Sequence, residues 1–137
     1  MMTDRLGHAA RALLPLAVVG SLSAACGGDP AKPPTGIATE SVCPTTQTLT
    51  YANFGQQFFE SYCQSCHAST VTGAARNGAP ADHVFDQVQD IQLLREHIDE
   101  YAAAGPAGVN TIMPPEAPRP TEAERRQLGE WLACEAP

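Results

Sequence analysis

The chain has 137 residues, of which 15 are acidic and 8 are basic, so its formal net charge is −7. This length predicts a single domain. The acidic balance excludes nucleic acid as the natural partner, because binding to phosphates requires a basic surface. Hydrophobic residues make up 43% of the chain, which excludes wholesale disorder. The five cysteines are an odd number and cannot all pair with each other.

Residues 1–25 have the pattern of an export signal. Arg5 and Arg11 precede an apolar run that is too short for a good membrane-spanning helix and that ends in small residues before Cys26. The sequence Leu-Ser-Ala-Ala-Cys26 resembles a bacterial lipoprotein signal, in which cleavage leaves the cysteine as a lipidated N-terminus. The resemblance implies lipidation of Cys26, and the alternative is ordinary secretory cleavage near Ala25 that leaves this cysteine free.

The next segment, residues 26–40, is rich in proline and glycine and is predicted to be a semi-rigid linker. The remaining residues, 41–137, are then an acidic domain held near a membrane on the exported side by its lipid. Gly27 and Gly28 stand where lipoproteins retained at the inner membrane of enteric bacteria carry an aspartate. The expected location is therefore periplasmic, with the anchor in the outer membrane.

The first predicted helix runs from Thr50 to Cys66. Its aromatic side chains recur at spacings of three and four residues, which is typical of one buried helix face, as seen at Tyr51, Phe54, Phe58 and Tyr62. Thr50 is a suitable N-cap because its hydroxyl can accept a hydrogen bond from a free N–H group of the first turn.

Two further helices are predicted, and no segment is predicted to be a strand. The second helix starts between Asp82 and Asp90 and stops at Gly105-Pro106, and the third opens with a capping box at Thr121-Glu-Ala-Glu124. The loops between the helices are long for so small a domain and need something to pack on. A large buried cofactor would supply the missing core, so we expect an all-α fold built around one.

The motif Cys63-Gln-Ser-Cys66-His67 identifies the candidate cofactor. C-x-x-C-H is the attachment sequence of c-type haem, in which two thiols form thioethers with the vinyl groups and the histidine becomes an axial ligand. Export favours haem, because covalent attachment takes place outside the bacterial inner membrane. The alternatives are a redox disulfide, and a zinc site completed by His83 or His97 with another cysteine.

Met113 is the candidate for the second axial ligand. It lies in the sequence Ile-Met-Pro-Pro, where two prolines stiffen the loop and lower the entropic cost of holding a thioether ligand. The competing candidate is His97, near the apolar face of the second predicted helix, and His83 is a weaker one.

With these residues in place, residues 50–134 resemble a class I c-type cytochrome. In that family a glycine and an aromatic residue precede the first haem cysteine by eight and four residues, as Gly55 and Phe59 do here. The last helix carries a leucine and then an aromatic residue, here Leu128 and Trp131. The resemblance implies a cytochrome c-like fold with three main helices and long loops around one covalent haem. It also implies that the carbonyl of Pro80 accepts a hydrogen bond from the haem histidine.

The same resemblance accounts for the two remaining cysteines. If the first and last helices cross as in the family, Cys43 and Cys134 come close enough to form a disulfide in an oxidising compartment. The alternative is two free thiols.

The sequence contains no catalytic constellation, so we predict an electron carrier rather than an enzyme. Its expected partners are redox proteins with a basic docking surface, because the chain is acidic. Two alternatives remain. The chain is a haem subunit of a larger respiratory or dehydrogenase complex, or it is a peroxidase-like or gas-binding haem protein if Met113 is not a stable ligand.

Overall fold

The computed structural model describes residues 35–134. The predicted export signal, the lipidation site at Cys26 and most of the predicted linker lie outside these residues. A π-helical turn, Tyr51–Gly55, precedes the first α-helix, and a 3₁₀ turn, Gly73–Arg76, follows the second. The regular elements are α1 (Gln56–Tyr62), α2 (Gln64–His67), α3 (Val88–Leu93), α4 (Arg95–Ala102), β1 (Ala104–Gly105), β2 (Gly108–Val109) and α5 (Glu122–Cys134).

The first helical region begins where the sequence predicts. The Thr50 hydroxyl accepts a hydrogen bond from the Asn53 N–H at 3.2 Å, and the Thr50 N–H donates to the Asn53 side chain at 2.6 Å. This reciprocal pair satisfies two backbone groups that a helix start leaves free. The region does not continue as one helix, because Cys63 leaves helical geometry with a φ of −120° and separates α1 from α2.

The second predicted helix is shorter than expected and is interrupted at Leu94, which separates α3 from α4. It ends at Ala102, before Gly105-Pro106. The residues that follow form a two-stranded antiparallel hairpin, β1–β2, in which Gly105 pairs with Gly108. The prediction of no strand is therefore wrong at this point, because alternation over two residues is too short to be recognised in a sequence.

The third helix confirms its predicted start. The Thr121 N–H donates to the Glu124 carboxylate at 2.7 Å, and the Glu124 N–H donates to the Thr121 hydroxyl at 3.3 Å. The helix buries Leu128, Trp131 and Leu132 against the rest of the domain. Helix α5 is therefore amphipathic as expected.

The core forms where the first and last helical regions cross. Trp131 is fully buried and packs over Gly55, where an added Cβ would lie 3.0 Å from Cζ2 of the indole ring. Glycine is needed there because a side chain would push the two elements apart. Phe59 and Leu128, both fully buried, fill the core beside this crossing. The predicted all-α architecture is confirmed, with the short β1–β2 hairpin as its one exception among residues 35–134.

The folded domain starts earlier than the predicted boundary at Ser41. Ile37 and the side chain of Asn110 exchange two hydrogen bonds, of 3.1 and 2.7 Å. Thr39 is fully buried, and its N–H donates to the Asp99 carboxylate at 2.8 Å. The last residues of the predicted linker thus pack against the domain as an extended N-terminal segment, which polar composition alone did not indicate.

A disulfide joins Cys43 to Cys134, whose Cα atoms lie 4.6 Å apart. It fixes the C-terminal end of α5 to the chain that precedes the first helical region. Between residues 35 and 134, no helix is long and apolar enough to cross a membrane.

Candidate haem site

A cavity of about 300 Å³ lies between α1, α2, α4 and the two long loops of the domain. We call residues 68–87 the proximal loop and residues 103–121 the distal loop. The walls are mainly apolar and aromatic and include Phe58, Phe85 and Ile98. The structure brings to this one cavity all the predicted haem-site residues, namely Cys63, Cys66, His67, Pro80 and Met113, and also the competing ligand His97.

The C-x-x-C-H motif occupies one helical turn. The N–H groups of Cys66 and His67 both donate to the carbonyl of Cys63, at 3.2 and 2.9 Å. The two cysteines are not joined to each other. Burial raises the pKa of the Cys63 thiol to about 12, although the positive charge of Arg125 opposes this shift, so this thiol stays protonated at neutral pH.

His67 is oriented by a single backbone carbonyl. Its Nδ1 lies 3.0 Å from the carbonyl oxygen of His83, and its ring stacks on Phe85 with centroids 4.6 Å apart. Because a carbonyl only accepts, Nδ1 carries the proton and Nε2 is the nitrogen left free for a metal. Burial lowers the pKa of His67, and the bond to the carbonyl partly offsets this, so the imidazole is neutral at pH 7.

The acceptor for His67 differs from the one that the resemblance implied. Pro80 lines the cavity, but its carbonyl accepts a hydrogen bond from Nη2 of Arg76 at 2.5 Å. That carbonyl also accepts a hydrogen bond from the His83 N–H at 3.1 Å, so both of its lone pairs are used. The histidine bonds instead to the carbonyl of His83, farther along the proximal loop. The expectation for the Pro80 carbonyl is therefore corrected.

Met113 is held by its backbone on both sides. Its N–H donates to the carbonyl of Tyr101 at 2.9 Å, and its own carbonyl accepts a hydrogen bond from Nη1 of Arg125 at 2.8 Å. Two prolines follow it and restrict the chain further. The side chain packs against the core and lines the cavity. A thioether at this position is preorganised, which is what a ligand on a loop needs.

Arg125 is a functional residue that the sequence analysis missed. Only 2% of it is exposed, and its Nη1 also donates to the carbonyls of Ala102 and Asn110, at 2.6 and 2.8 Å. It lies three residues before Leu128, on the apolar face of α5. A charged residue at an apolar register position was a signal that could have identified it.

His97 also lines the cavity, but its ring makes other contacts. Its ring lies between those of His83 and Tyr101, with centroid separations of 4.8 and 4.2 Å. Burial lowers the pKa of His97, with a smaller contribution from the charge of His83. This ring is therefore part of an aromatic stack, whereas the Met113 side chain packs against the apolar core.

These residues fit a c-type haem. Two free thiols, a neutral histidine with Nε2 available and a methionine share one apolar cavity. Between residues 35 and 134, no group of three or more His, Cys, Asp or Glu side chains is arranged to hold a metal ion.

Comparison with known proteins agrees with this geometry. The family model described as cytochrome c oxidase, cbb3-type, subunit III matches residues 52–132, which is more than half of the chain. No curated protein and no solved structure matches the chain significantly. The matched segment contains the whole C-x-x-C-H motif, the methionine loop and most of α5. The chain therefore belongs to this family of c-type cytochrome domains, which bind haem covalently and transfer electrons.

Proposed function

We propose that the domain is a monohaem electron carrier in which Cys63 and Cys66 attach the haem and His67 and Met113 are its axial ligands. The observation that carries the proposal is that all four side chains meet at one mainly apolar cavity, although Met113 comes from a loop far along the chain. This shared location of residues from distant parts of the chain supports the assignment.

The bound haem would supply a one-electron couple. The role of the protein is to hold the haem ligands in the same positions in both oxidation states. The carbonyl of His83 orients His67, and hydrogen bonds at both backbone groups hold Met113. Ligands held this way move little when the charge of the site changes, which favours fast transfer. A thioether ligand raises the reduction potential relative to two histidines. The apolar walls exclude water and favour the less charged, reduced state.

We also propose the organisation around this domain. Residues 1–25 are an export signal, Cys26 carries a lipid, and a short spacer precedes the extended N-terminal segment. The apolar run before Cys26 and the proline-rich segment after it support this arrangement. The domain then works on the periplasmic side of a membrane, most consistently the outer one. The net charge of −7 favours partners with a basic docking surface and association that weakens with salt.

The test is to produce the full chain with c-type maturation machinery and to compare three proteins. The parent should carry one covalent haem by mass and show the weak far-red band of a methionine–iron bond when oxidised. Met113→Ala should lose that band, and the matched variant His97→Ala should keep it. A colourless protein would contradict haem attachment. A far-red band that survives Met113→Ala would contradict the ligand assignment. A haem-loaded parent that lacks the band would favour ligation by His97 or an open iron.

A second candidate is favoured by the description of the matched family, which names a subunit of a cbb3-type oxidase. In this version the domain is one link in the electron relay of a larger complex rather than a free carrier. The two candidates differ in whether the haem protein is bound to a fixed partner in the membrane. Solubilised native membranes would show the haem protein migrating with a fixed partner if it is a subunit, and migrating alone if it is a carrier.

A further inference from the structure

Arg76 is a buried cation within the proximal loop. Only 9% of it is exposed, although an isolated arginine in a glycine- and alanine-rich segment would ordinarily extend into solvent. None of the ion pairs found between residues 35 and 134 involves it. Its guanidinium instead donates to five backbone carbonyls, those of Ala68, Val71, Ala79, Pro80 and His83. The positive charge of the Arg76 guanidinium is therefore stabilised by the dipoles of these carbonyls.

One of these carbonyls is the acceptor for the candidate haem ligand. The oxygen of His83 accepts from Nη2 of Arg76 at 2.9 Å and lies 3.0 Å from Nδ1 of His67. Two donors on one oxygen compete for the same electron density, and a cation takes the larger share. The proton of His67 then stays closer to Nδ1, and the imidazole donates less electron density through Nε2.

We propose that Arg76 is a positioning residue for His67 that shares the His83 carbonyl with it and thereby raises the reduction potential of the haem. The proposal rests on the proposed function, since it requires His67 to be the axial ligand. Two effects act in the same direction. A less electron-rich imidazole stabilises oxidised iron less, and a buried positive charge near the site disfavours the more positive oxidation state.

A purely structural role would make a different prediction. If Arg76 only holds the loop, its removal should reduce stability and leave the electronic properties of a correctly loaded site unchanged. Arg76→Gln removes the charge, whereas Arg76→Lys keeps it but replaces the planar fork with a single ammonium group that cannot serve five carbonyls. Arg126→Gln is the matched control, because it removes the same charge from an arginine whose side chain is 49% exposed and paired with Glu122.

The experiment uses the full haem-loaded chain of each variant and measures the midpoint potential and the NMR resonance of the His67 Nδ1 proton in the reduced state. We expect Arg76→Gln to have a lower potential than both the parent and Arg126→Gln, and to shift the Nδ1 proton downfield because its hydrogen bond strengthens. Arg76→Lys should have an intermediate potential but unfold as readily as Arg76→Gln. Equal potentials for Arg76→Gln and Arg126→Gln, with an unmoved Nδ1 resonance, would overturn the proposal.

Covalent haem is measured first in each variant, so that failure of the proposed function can be distinguished from failure of the proposal for Arg76. A parent protein without covalent haem, or one whose His67 is not an axial ligand, contradicts the proposed function itself. If Arg76→Gln does not acquire haem, an NMR measurement on the parent protein tests the shared hydrogen bond instead. Slow solvent exchange of both the Arg76 guanidinium protons and the His67 Nδ1 proton is expected, and rapidly exchanging, freely rotating guanidinium protons would overturn the shared bond.

Discussion

Each of the two long loops that enclose the cavity is held by a buried arginine, but the two arginines come from different parts of the chain. In each, a buried arginine binds backbone carbonyls that have no partners in a helix or a sheet. Arg76 belongs to the proximal loop itself, and its acceptors lie within eight residues of it. Arg125 belongs to α5, and its acceptors in and beside the distal loop lie 12 to 23 residues away.

This difference has a consequence for the two candidate ligands. The hydrogen bonds around the His67 ring come from the proximal loop alone and involve no side chain of α5. They can therefore persist while α5 loosens. The surroundings of Met113 depend on α5 remaining docked, because the arginine that holds its carbonyl comes from that helix. Local opening of a protein follows such units of structure. We therefore expect the methionine side of the site to open before the histidine side.

Removal of Arg125 should have the largest effect. Arg125→Met keeps much of the side-chain volume but leaves three carbonyls without their donor, at a cost of about 1–3 kcal/mol for each group that stays buried. The expected loss in the free energy of unfolding is about 4 kcal/mol, and the far-red band should vanish at a lower denaturant concentration than the haem absorption changes that report His67. Arg126→Met, a change at an exposed position of the same helix, should leave both transitions nearly unchanged. Simultaneous loss of the two signals in Arg125→Met would contradict the comparison.

Loss of the disulfide between Cys43 and Cys134 should have the second largest effect on stability. The bond closes a loop with a sequence separation of 91, and chain-entropy arguments give up to about 4–5 kcal/mol for a loop of this size. Chemical unfolding of Cys43→Ser should show a smaller loss than Arg125→Met, about 3 kcal/mol, which lies in the range typical of disulfides. The far-red band should also be lost earlier, because the end of α5 is freed. The double variant with Cys134→Ser serves as the control and should match the single one. A parent and variant of equal stability would show that the disulfide does not hold α5.

A smaller effect is expected where α5 touches the start of the distal loop. A Cβ added at Gly129 would lie 2.6 Å from the carbonyl oxygen of Ala104 in β1. On an open helix surface, a change from glycine to alanine stabilises by about 1 kcal/mol, but here the backbone contact should reverse the sign. We expect Gly129→Ala to destabilise the domain by about 1–3 kcal/mol and to weaken the methionine bond. Glu130→Ala, at the next and exposed position, should be nearly neutral, and stabilisation by Gly129→Ala would contradict the close approach.

The smallest effect is a pH dependence at the start of α5. The Tyr62 hydroxyl donates to the Glu124 carboxylate at 2.9 Å, and hydrogen bonds from Thr121 are the main cause of a lowered pKa at Glu124. A carboxyl whose pKa is lower in the folded state stabilises the fold above its unfolded value. That contribution is lost as the pH falls below about 4.5 and through the folded value. We expect a loss below about 1 kcal/mol because the group is only partly buried and solvent screens its interactions.

Thermal unfolding between pH 7 and pH 3 measures this contribution. The parent should lose more stability in the acid range than Glu124→Gln, whose curve should be flatter. Parallel curves for the two proteins would show that the carboxylate does not contribute. Tyr62→Phe, which removes only the hydroxyl, should give an intermediate slope.

The sequence predicted the features that depend on local patterns. The C-x-x-C-H spacing, the capping residues Thr50 and Thr121 and the apolar face of α5 are all written in residues a few positions apart, and the structure agrees with each helix start at these caps. The close approach of Gly55 to Trp131 could also be predicted, because the family resemblance implied that the first and last helices cross.

The features that were missed depend on partners chosen only in the folded chain. The bond from His67 goes to His83 rather than Pro80, whose carbonyl already accepts hydrogen bonds from Arg76 and from the His83 N–H. Likewise, Thr39 is buried because the side chain of Asp99 accepts its N–H across 60 positions in the chain. Backbone hydrogen bonds of irregular loops have no periodicity, so composition and spacing do not indicate them.

A redox titration of the full, haem-loaded chain followed by its absorption spectrum tests the central assignment most directly. We predict one reversible one-electron wave, a far-red band of the methionine bond in the oxidised protein, and a reduced protein that binds carbon monoxide slowly because both axial positions are occupied. A reduced protein that binds carbon monoxide at once, with no far-red band before reduction, would contradict ligation by His67 and Met113 and with it the role of the domain as a simple electron carrier.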